Sequence, residues 1–237
     1  MCGRIMLTSP PHVLAEAFYL DQVPDLAPRF NIAPGGPLAA VLPLPEGPGR
    51  IIRLLDWGLV PPWSRDPSGG PKLINARGET ITEKPAFAES FIHRRCLIPV
   101  DGFYEWQKRG KERQPFLMRR KDKGVFALAG VWARWEYPGR RTLETCAIVT
   151  TGANSLMRPI HHRMPVILPP GDWKLWLDLD PDKADLCLAL LKPAPVEDLL
   201  AYPVTPRVNR PEFDRPECVE PVWDDGPGQL NLFGGPA

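Results

Sequence analysis

Runs of apolar, β-branched and aromatic residues recur at 51–57, 96–100, 115–120, 125–135, 143–151 and 164–168, and most are separated by turns or short polar segments. Parallel strands need a crossover of a dozen or more residues between them, usually through a helix, whereas antiparallel strands need only a tight turn. The spacing therefore predicts antiparallel pairing rather than repeated βαβ units. Helix signals are short and fall at 11–19, 85–93, 153–158, 172–178 and 182–191. The expected class is α+β: one domain over residues 2–222, a curved, mainly antiparallel sheet or barrel with short peripheral helices. A loose tail over 223–237 is expected to follow, opening on Trp223-Asp224-Asp225-Gly226-Pro227-Gly228.

With 31 Pro and 20 Gly the chain has many rigid turns, yet 43% apolar residues and eight Trp among 237 residues are enough for a substantial core. No apolar run approaches the roughly 18 residues of a membrane span, and residues 1–13 lack the apolar stretch of a secretory signal. A cytoplasmic protein with no membrane association is expected. The five cysteines (Cys2, Cys96, Cys146, Cys187, Cys218) form no CxxC pair, so neither a metal site nor a disulfide framework is expected, and nothing points to a cofactor. Residues 1–170 hold 23 Lys/Arg against 15 Asp/Glu, while residues 171–237 hold 6 against 13. Such a basic body suits a polyanion on one face, or else neutralisation by the acidic part.

Chemistry concentrates at the start, in Met1-Cys2-Gly3-Arg4. Once Met1 is removed, Cys2 carries a thiol and a free α-amine on neighbouring carbons, a pair able to close a five-membered thiazolidine on an aldehyde. An α-amine has a reference pKa of about 7.7 to 8.0, so a useful fraction is nucleophilic near neutrality. A thiol of reference pKa about 8.5 needs only a modest electropositive push to ionise. The plain alternative is a small buried residue in a first strand.

Four further segments combine reactive or polar groups with Gly, Pro or Trp. Trp57-Gly58-Leu59-Val60-Pro61-Pro62-Trp63 ends a strand in a rigid turn between two indoles, and Asn75-Ala76-Arg77-Gly78-Glu79-Thr80 is a polar loop. The run from Arg95 to Trp106 sets Glu105 between aromatics, where desolvation would raise its pKa toward the range useful for proton transfer. Ile160-His161-His162-Arg163-Met164-Pro165 places two histidines and an arginine before a strand. Each also has a structural use: Glu105 pairing with an arginine, His161 capping a helix, Trp57 and Trp63 filling core.

Together with Cys2-Gly3-Arg4 and Arg29-Phe30-Asn31-Ile32-Ala33-Pro34, these segments resemble the SRAP (SOS response-associated peptidase) family, over residues 2 to about 210. The resemblance implies a DNA-damage protein whose Cys2 forms a covalent thiazolidine with the ring-opened aldehyde of an abasic site in single-stranded DNA. It further implies that Asn75 holds the Cys2 end or the sugar, that Glu105 shuttles protons, and that His161 assists opening of the deoxyribose ring. Arg4, Asn31, Arg77 and Arg163 are expected on the DNA, with Trp63 stacking on a base or blocking a second strand. A monomer in the cytoplasm near the bacterial nucleoid is expected. His162 departs from the family pattern, in which a carboxylate is expected beside His161.

In the tail, Gln229-Leu230-Asn231-Leu232-Phe233 resembles the Gln-Leu-x-Leu-Phe peptide by which bacterial repair and replication proteins dock on the sliding clamp. Leu230, Leu232 and Phe233 would supply apolar anchors and the Gln229 amide would fix register. Three other activities stay open. One is an N-terminal-nucleophile amidohydrolase, although the chain has no Asn-Gly pair. Another is a thiol autopeptidase using Cys2, His161 and Glu105, or a lyase on the abasic site. The last is a single-strand-binding module in which Cys2 is incidental.

Overall fold

Two ten-residue strands whose side chains are almost all buried, over Phe126–Trp135 and Leu143–Gly152, organise the molecule. The structure is a computed structural model that describes residues 2–67, 72–136, 139, 142–178 and 180–222. The tail with Gln229, Leu230, Leu232 and Phe233 lies outside the described residues.

Along the chain, β1 (Ile5–Leu7) leads to α1 (Pro11–Phe18), then β2 (Arg29–Ile32), β3 (Pro37–Pro43) and β4 (Arg50–Trp57). Next come β5 (Asn75–Arg77), α2 (Pro85–His93), β6 (Arg95–Val100), β7 (Gly102–Arg109) and β8 (Glu112–Arg120). β9 (Phe126–Trp135), β10 (Leu143–Gly152), β11 (Arg163–Pro165) and β12 (Ile167–Leu168) follow, then α3 (Trp173–Leu177), α4 (Ala184–Leu188) and β13 (Leu199–Pro203). The α+β class expected from the sequence is the class observed, and no described helix is long and apolar enough to cross a membrane.

Strands β3, β4, β10, β9 and β6 close on one another to form a barrel. Four of its five seams are antiparallel: β3 with β4, β3 with β6, β6 with β9, and β9 with β10. The fifth is parallel, with Thr145 opposite Asp56 and Cys146 opposite Trp57. Beyond it, β5 takes over from β4 along the same edge of β10, also parallel, with Ile148 opposite Asn75 and Thr150 opposite Arg77. Small residues line the interior where strands converge: Ala127, Ala129, Ala133 and Ala147 are all fully buried. The remaining strands form an antiparallel sheet in the order β13-β8-β7-β1-β2.

A single residue, Asp101, separates β6 in the barrel from β7 in the second sheet. It is buried and accepts from the N–H and hydroxyl groups of both Thr8 and Ser9, which pins the end of β1 to this corner. Gly102 follows because a Cβ there would lie 2.8 Å from the Met118 carbonyl oxygen on β8. The β7–β8 hairpin turns at Gly110, whose φ of 61° matches the tight turns that join twisted strands.

One expectation changes. The segment 153–158 is a turn rather than a helix: Asn154 caps the Met157 N–H, but Pro159 lacks the donor needed to continue. The pairing is mainly antiparallel, as expected, and β10 keeps two parallel partners. Asp101→Ala leaves the Thr8 and Ser9 donors without their acceptor inside the fold and is expected to cost on the order of 3 kcal/mol in urea denaturation. An unchanged urea midpoint would show that the corner does not hold β1.

Candidate active site

Cys2 is wholly buried at the start of the chain's first extended segment. The next residues run along β7: Tyr104 donates its N–H to the Arg4 carbonyl, so Cys2 arrives beside Glu105. On its other side, half-buried Asn75 donates through Nδ2 to the Cys2 carbonyl at 2.8 Å. Asn75 is placed by the turn that ends β4, where the Trp57 indole donates to the Ile74 carbonyl and the Gly58 N–H donates to the Cys146 carbonyl. Trp57 is therefore framework, whereas Trp63 is 64% exposed. The loop that carries Trp63 is tied down by the Trp135 indole, which donates to the Ser64 carbonyl.

Burial sets the protonation state of this cluster. It pushes the Cys2 thiol well above the usual thiol range, and the charge of Glu105 adds to that shift. The sequence suggested an easily ionised thiol; the fold holds it as S–H. Glu105 is 2% exposed, and burial raises its pKa above the ordinary carboxylate value, the direction expected from its aromatic neighbours. Its Oε1 lies 4.0 Å from Nδ1 of His161. His161 is shifted down, chiefly by burial, and is held toward the neutral ring.

The loop carrying His161 is fixed at several points. The N–H groups of Ile160 and His161 both donate to the Met157 carbonyl, and Gln107 of β7 donates to the Pro159 carbonyl at 3.0 Å. His161 Nδ1 accepts from the Arg163 N–H at 3.0 Å and lies 3.2 Å from the Arg163 carbonyl oxygen, so both ends of that backbone unit hold the ring in place. His162 is exposed and stacks on His161 with centroids 4.4 Å apart. Its pKa is lowered, first by the neighbouring His161 charge.

Not every expected DNA contact faces outward. Asn31 is buried and donates to the carbonyls of Val208, Arg210 and Phe213, while its Oδ1 accepts from Arg4 Nη1 at 2.9 Å. That same Arg4 nitrogen also donates to the Val208 carbonyl at 2.8 Å. In this arrangement Arg4 and Asn31 fasten the segment that carries Val208, Arg210 and Phe213. Arg163 reaches Glu79 through Nη1 and Nη2 at 2.6 and 2.9 Å and also donates to the Thr150 carbonyl at 2.7 Å. Arg77, two residues after Asn75 on β5, is exposed. Gln107, Glu79 as a partner of Arg163, and Asn209, which accepts from the Trp106 indole, are functional neighbours that spacing did not single out. Their partners lie 52, 84 and 103 positions away, and nothing local in the sequence announces such pairs.

The groups that converge are thus an aminothiol-bearing residue, an amide fixing its carbonyl, a buried carboxylic acid and a neutral imidazole. Among the described residues no cluster of His, Cys, Asp and Glu could hold a metal ion. The raised pKa of Glu105 has a consequence for stability. Below the ordinary carboxylate pKa both folded and unfolded chains are protonated; above it the unfolded chain ionises first and the fold loses stability until Glu105 itself ionises. Glu105→Gln is therefore expected to raise Tm at pH 8 and to change it little at pH 4. An equal shift at both pH values would refute a buried, proton-retaining carboxyl.

Comparison with known proteins places these residues in context. A sequence profile of the SOS response associated peptidase (SRAP) family matches residues 1–211. The abasic site processing protein YoqW of Bacillus subtilis is 39% identical over 224 residues, covering 93% of this chain and 99% of its own. The abasic site processing protein HMCES of Mus musculus is 31% identical, covering 94% of this chain and 76% of its own. Among solved structures, a protein of Bacteroides thetaiotaomicron superposes with a TM-score of 0.77 at 25% identity, over 94% of this chain and all of that one. A phage-related protein of Bordetella bronchiseptica gives 0.68 at 28% identity, over 86% and 94%. With its profile match running from the Cys2 segment past the His161 loop, this chain belongs to the SRAP family.

Proposed function

We propose that this protein recognises abasic sites in single-stranded DNA and captures them covalently through Cys2. The observation that carries this reading is the enclosure of Cys2 between the Asn75 amide and the buried Glu105 carboxyl, with His161 behind. The relatives named abasic site processing proteins support the substrate.

The chemistry follows from the protonation states. With the thiol held as S–H, the α-amine exposed by removal of Met1 attacks first, forming a C–N bond to the aldehyde carbon of the opened deoxyribose. The resulting carbinolamine loses its hydroxyl as water when protonated Glu105 supplies the proton, and the iminium nitrogen returns its proton to the Glu105 carboxylate, leaving an imine. Sγ then bonds to the imine carbon while the thiol proton passes to nitrogen. Aldehyde and aminothiol become thiazolidine and water, with no oxidant or cofactor consumed. Before this, the deoxyribose must open, which requires a proton on the ring oxygen; His161, beside Glu105, is suited to donate it. Exposed Trp63 offers a stacking surface for a base, worth roughly 1 to 3 kcal/mol without sequence demand. Exposed Arg77, beside Asn75, is the cation best placed for a neighbouring phosphate.

Denaturing gels of Met1-processed protein with single-stranded DNA bearing one abasic site should show a heat-stable shift that is absent with intact DNA and with Cys2→Ala. Cys2→Ser should give only a species trapped by reduction, and Glu105→Gln should slow the adduct by about 10²-fold. A heat-stable adduct from Cys2→Ser would sink ring closure. The rate should fall as pH rises through the elevated pKa of Glu105, and fall again in acid as the amine protonates; a rate that climbs steadily to pH 10 would instead mean thiolate attack.

We further propose that Gln229, Leu230, Leu232 and Phe233 bring the protein to the bacterial sliding clamp. The sequence motif in a Gly- and Pro-flanked tail supports this. Truncation after Pro227 is expected to abolish clamp binding in calorimetry without altering adduct formation, and undiminished binding would refute the assignment.

A further inference from the structure

Glu105 and Gln107 stand two residues apart on β7, so their side chains leave the same face of the strand, about 7 Å from each other along it. The loop that carries His161 runs back along that face: Gln107 meets Pro159, and Glu105 meets His161. Two residues along β7 match two residues along the loop, in the opposite direction. No ladder can enforce this match, because β7 spends its two edges on β1 and β8. Side chains have to do it.

Bonds within the loop shape it without setting its distance from β7. The Ile160 and His161 N–H groups donate to the Met157 carbonyl, the Arg158 N–H to the Asn154 carbonyl, and the Ala153 N–H to the His162 carbonyl. A bond that does cross to β7 is that of Gln107, whose Nε2 donates to the Pro159 carbonyl at 3.0 Å. The far end of the same amide is engaged as well: Arg109, the next residue on that face of β7, donates through Nε to Gln107 Oε1 at 2.7 Å. With its acceptor end turned to Arg109, the amide presents its donor end to the loop. The ring of Pro159 fixes its φ, and the Gln107 bond holds its carbonyl. Both torsions of Pro159 are thereby constrained, and with them the direction in which the chain enters Ile160 and His161.

We infer that Gln107 is a positioning residue: by holding the Pro159 carbonyl from β7, it seats the His161 ring against the Glu105 carboxyl carried by the same strand. The role in capture rests on the function proposed above; the seating itself does not. Its importance follows from distance. His161 Nδ1 and Glu105 Oε1 are 4.0 Å apart, so a drift of the loop changes that separation by a large fraction. A misplacement of about 1 Å between reacting groups can cost about 10²-fold in rate. A second use of Gln107 would be different in kind. The partly exposed amide would donate to a DNA phosphate itself, and its removal would then weaken DNA binding whatever stands at position 161.

The test compares Gln107→Met, which keeps the length of the side chain and loses both polar ends, and Gln107→Ala with the parent protein, all full-length and each also in a His161→Ala background. Magnetic resonance titration of the histidine rings without DNA, with the His161 signal assigned by its loss in His161→Ala, should place its midpoint below the ordinary imidazole value in the parent. The midpoint should move up in Gln107→Met and Gln107→Ala as the ring leaves its burial. The charged groups that face this ring are Glu105 and the α-amine across the site and His162 and Arg163 on its own loop, and none of them differs among the three proteins. Adduct formation at saturating abasic single-stranded DNA should fall about tenfold in both variants. Added to His161→Ala, either change should cost less than a further twofold, because a residue that acts through His161 has nothing left to position. Affinity for intact single-stranded DNA should change less than twofold. An unmoved His161 midpoint in both variants would overturn the inference. So would a tenfold loss that persists in the His161→Ala background, which would make Gln107 a direct DNA contact. Should the parent form no adduct at all, the functional proposal falls, and the titration, which needs no substrate, still decides the seating. Because Gln107 is partly exposed, its replacement opens no core cavity, and thermal melts of each variant report whether the fold is retained.

Discussion

The parallel seam at Thr145–Cys146 is the constraint on which the rest depends. An all-antiparallel barrel would have used both edges of β10 for hairpin neighbours. Here β4 meets β10 for only two residues, at Asp56 and Trp57, and then turns away. The vacated edge is taken by β5, which delivers Asn75 to Cys2 and Arg77 to the surface. Trp57 enforces the handover: its buried indole donates to the Ile74 carbonyl, one residue before β5 begins. A bulky core residue thus helps to place a polar site residue, its indole bond to Ile74 joined by the Leu59 N–H donating to the Leu73 carbonyl.

Desolvation then does the chemical selection. Cys2, Glu105 and His161 differ in charge type, yet burial moves each toward its neutral form: thiol up, carboxyl up, imidazole down. A set of ionised groups would bind an ion. A set of neutral, proton-bearing groups in contact is suited to passing protons among themselves without stabilising any single charged state. The same burial destabilises the fold whenever Glu105 ionises, so stability and reactivity draw on one feature.

The sequence made the strands from β8 to β10 legible, because long β-branched and aromatic runs bounded by turns have few other uses: residues 125–135 and 143–151 are seen almost as read. It did not show β1 or β5, whose three residues hold no periodicity, and it merged β11 and β12 into one run over 164–168. Nor did it show β7, where charged residues at its outer end mask the pattern. The site residues Cys2, Asn75, Glu105 and His161 were legible as odd residues in Gly-, Pro- and Trp-marked segments, and the fold brings them together. Partnership was not legible. That Asn31 would serve Arg4, or Glu79 serve Arg163, is a fact of tertiary geometry.

This bears on how the basic body of the chain is to be understood. Arg4 and Arg95 are buried and donate to backbone carbonyls: Arg4 to Val208, and Arg95 to Trp176, Phe91, Ile92 and Asp178. Arg163 is matched by Glu79, and Arg53 by Glu144. A buried arginine whose donors meet neutral carbonyls keeps its charge, so it still contributes to the long-range field that draws a polyanion in. The N–H groups engaged in this way are withheld from direct phosphate contact. An arginine matched by a carboxylate contributes little to either. The excess of cations in residues 1–170 therefore describes attraction more faithfully than it describes the contact surface. In the proposed function, contact falls to side chains such as Arg77 and Trp63, which the fold leaves exposed on segments it has otherwise tied down.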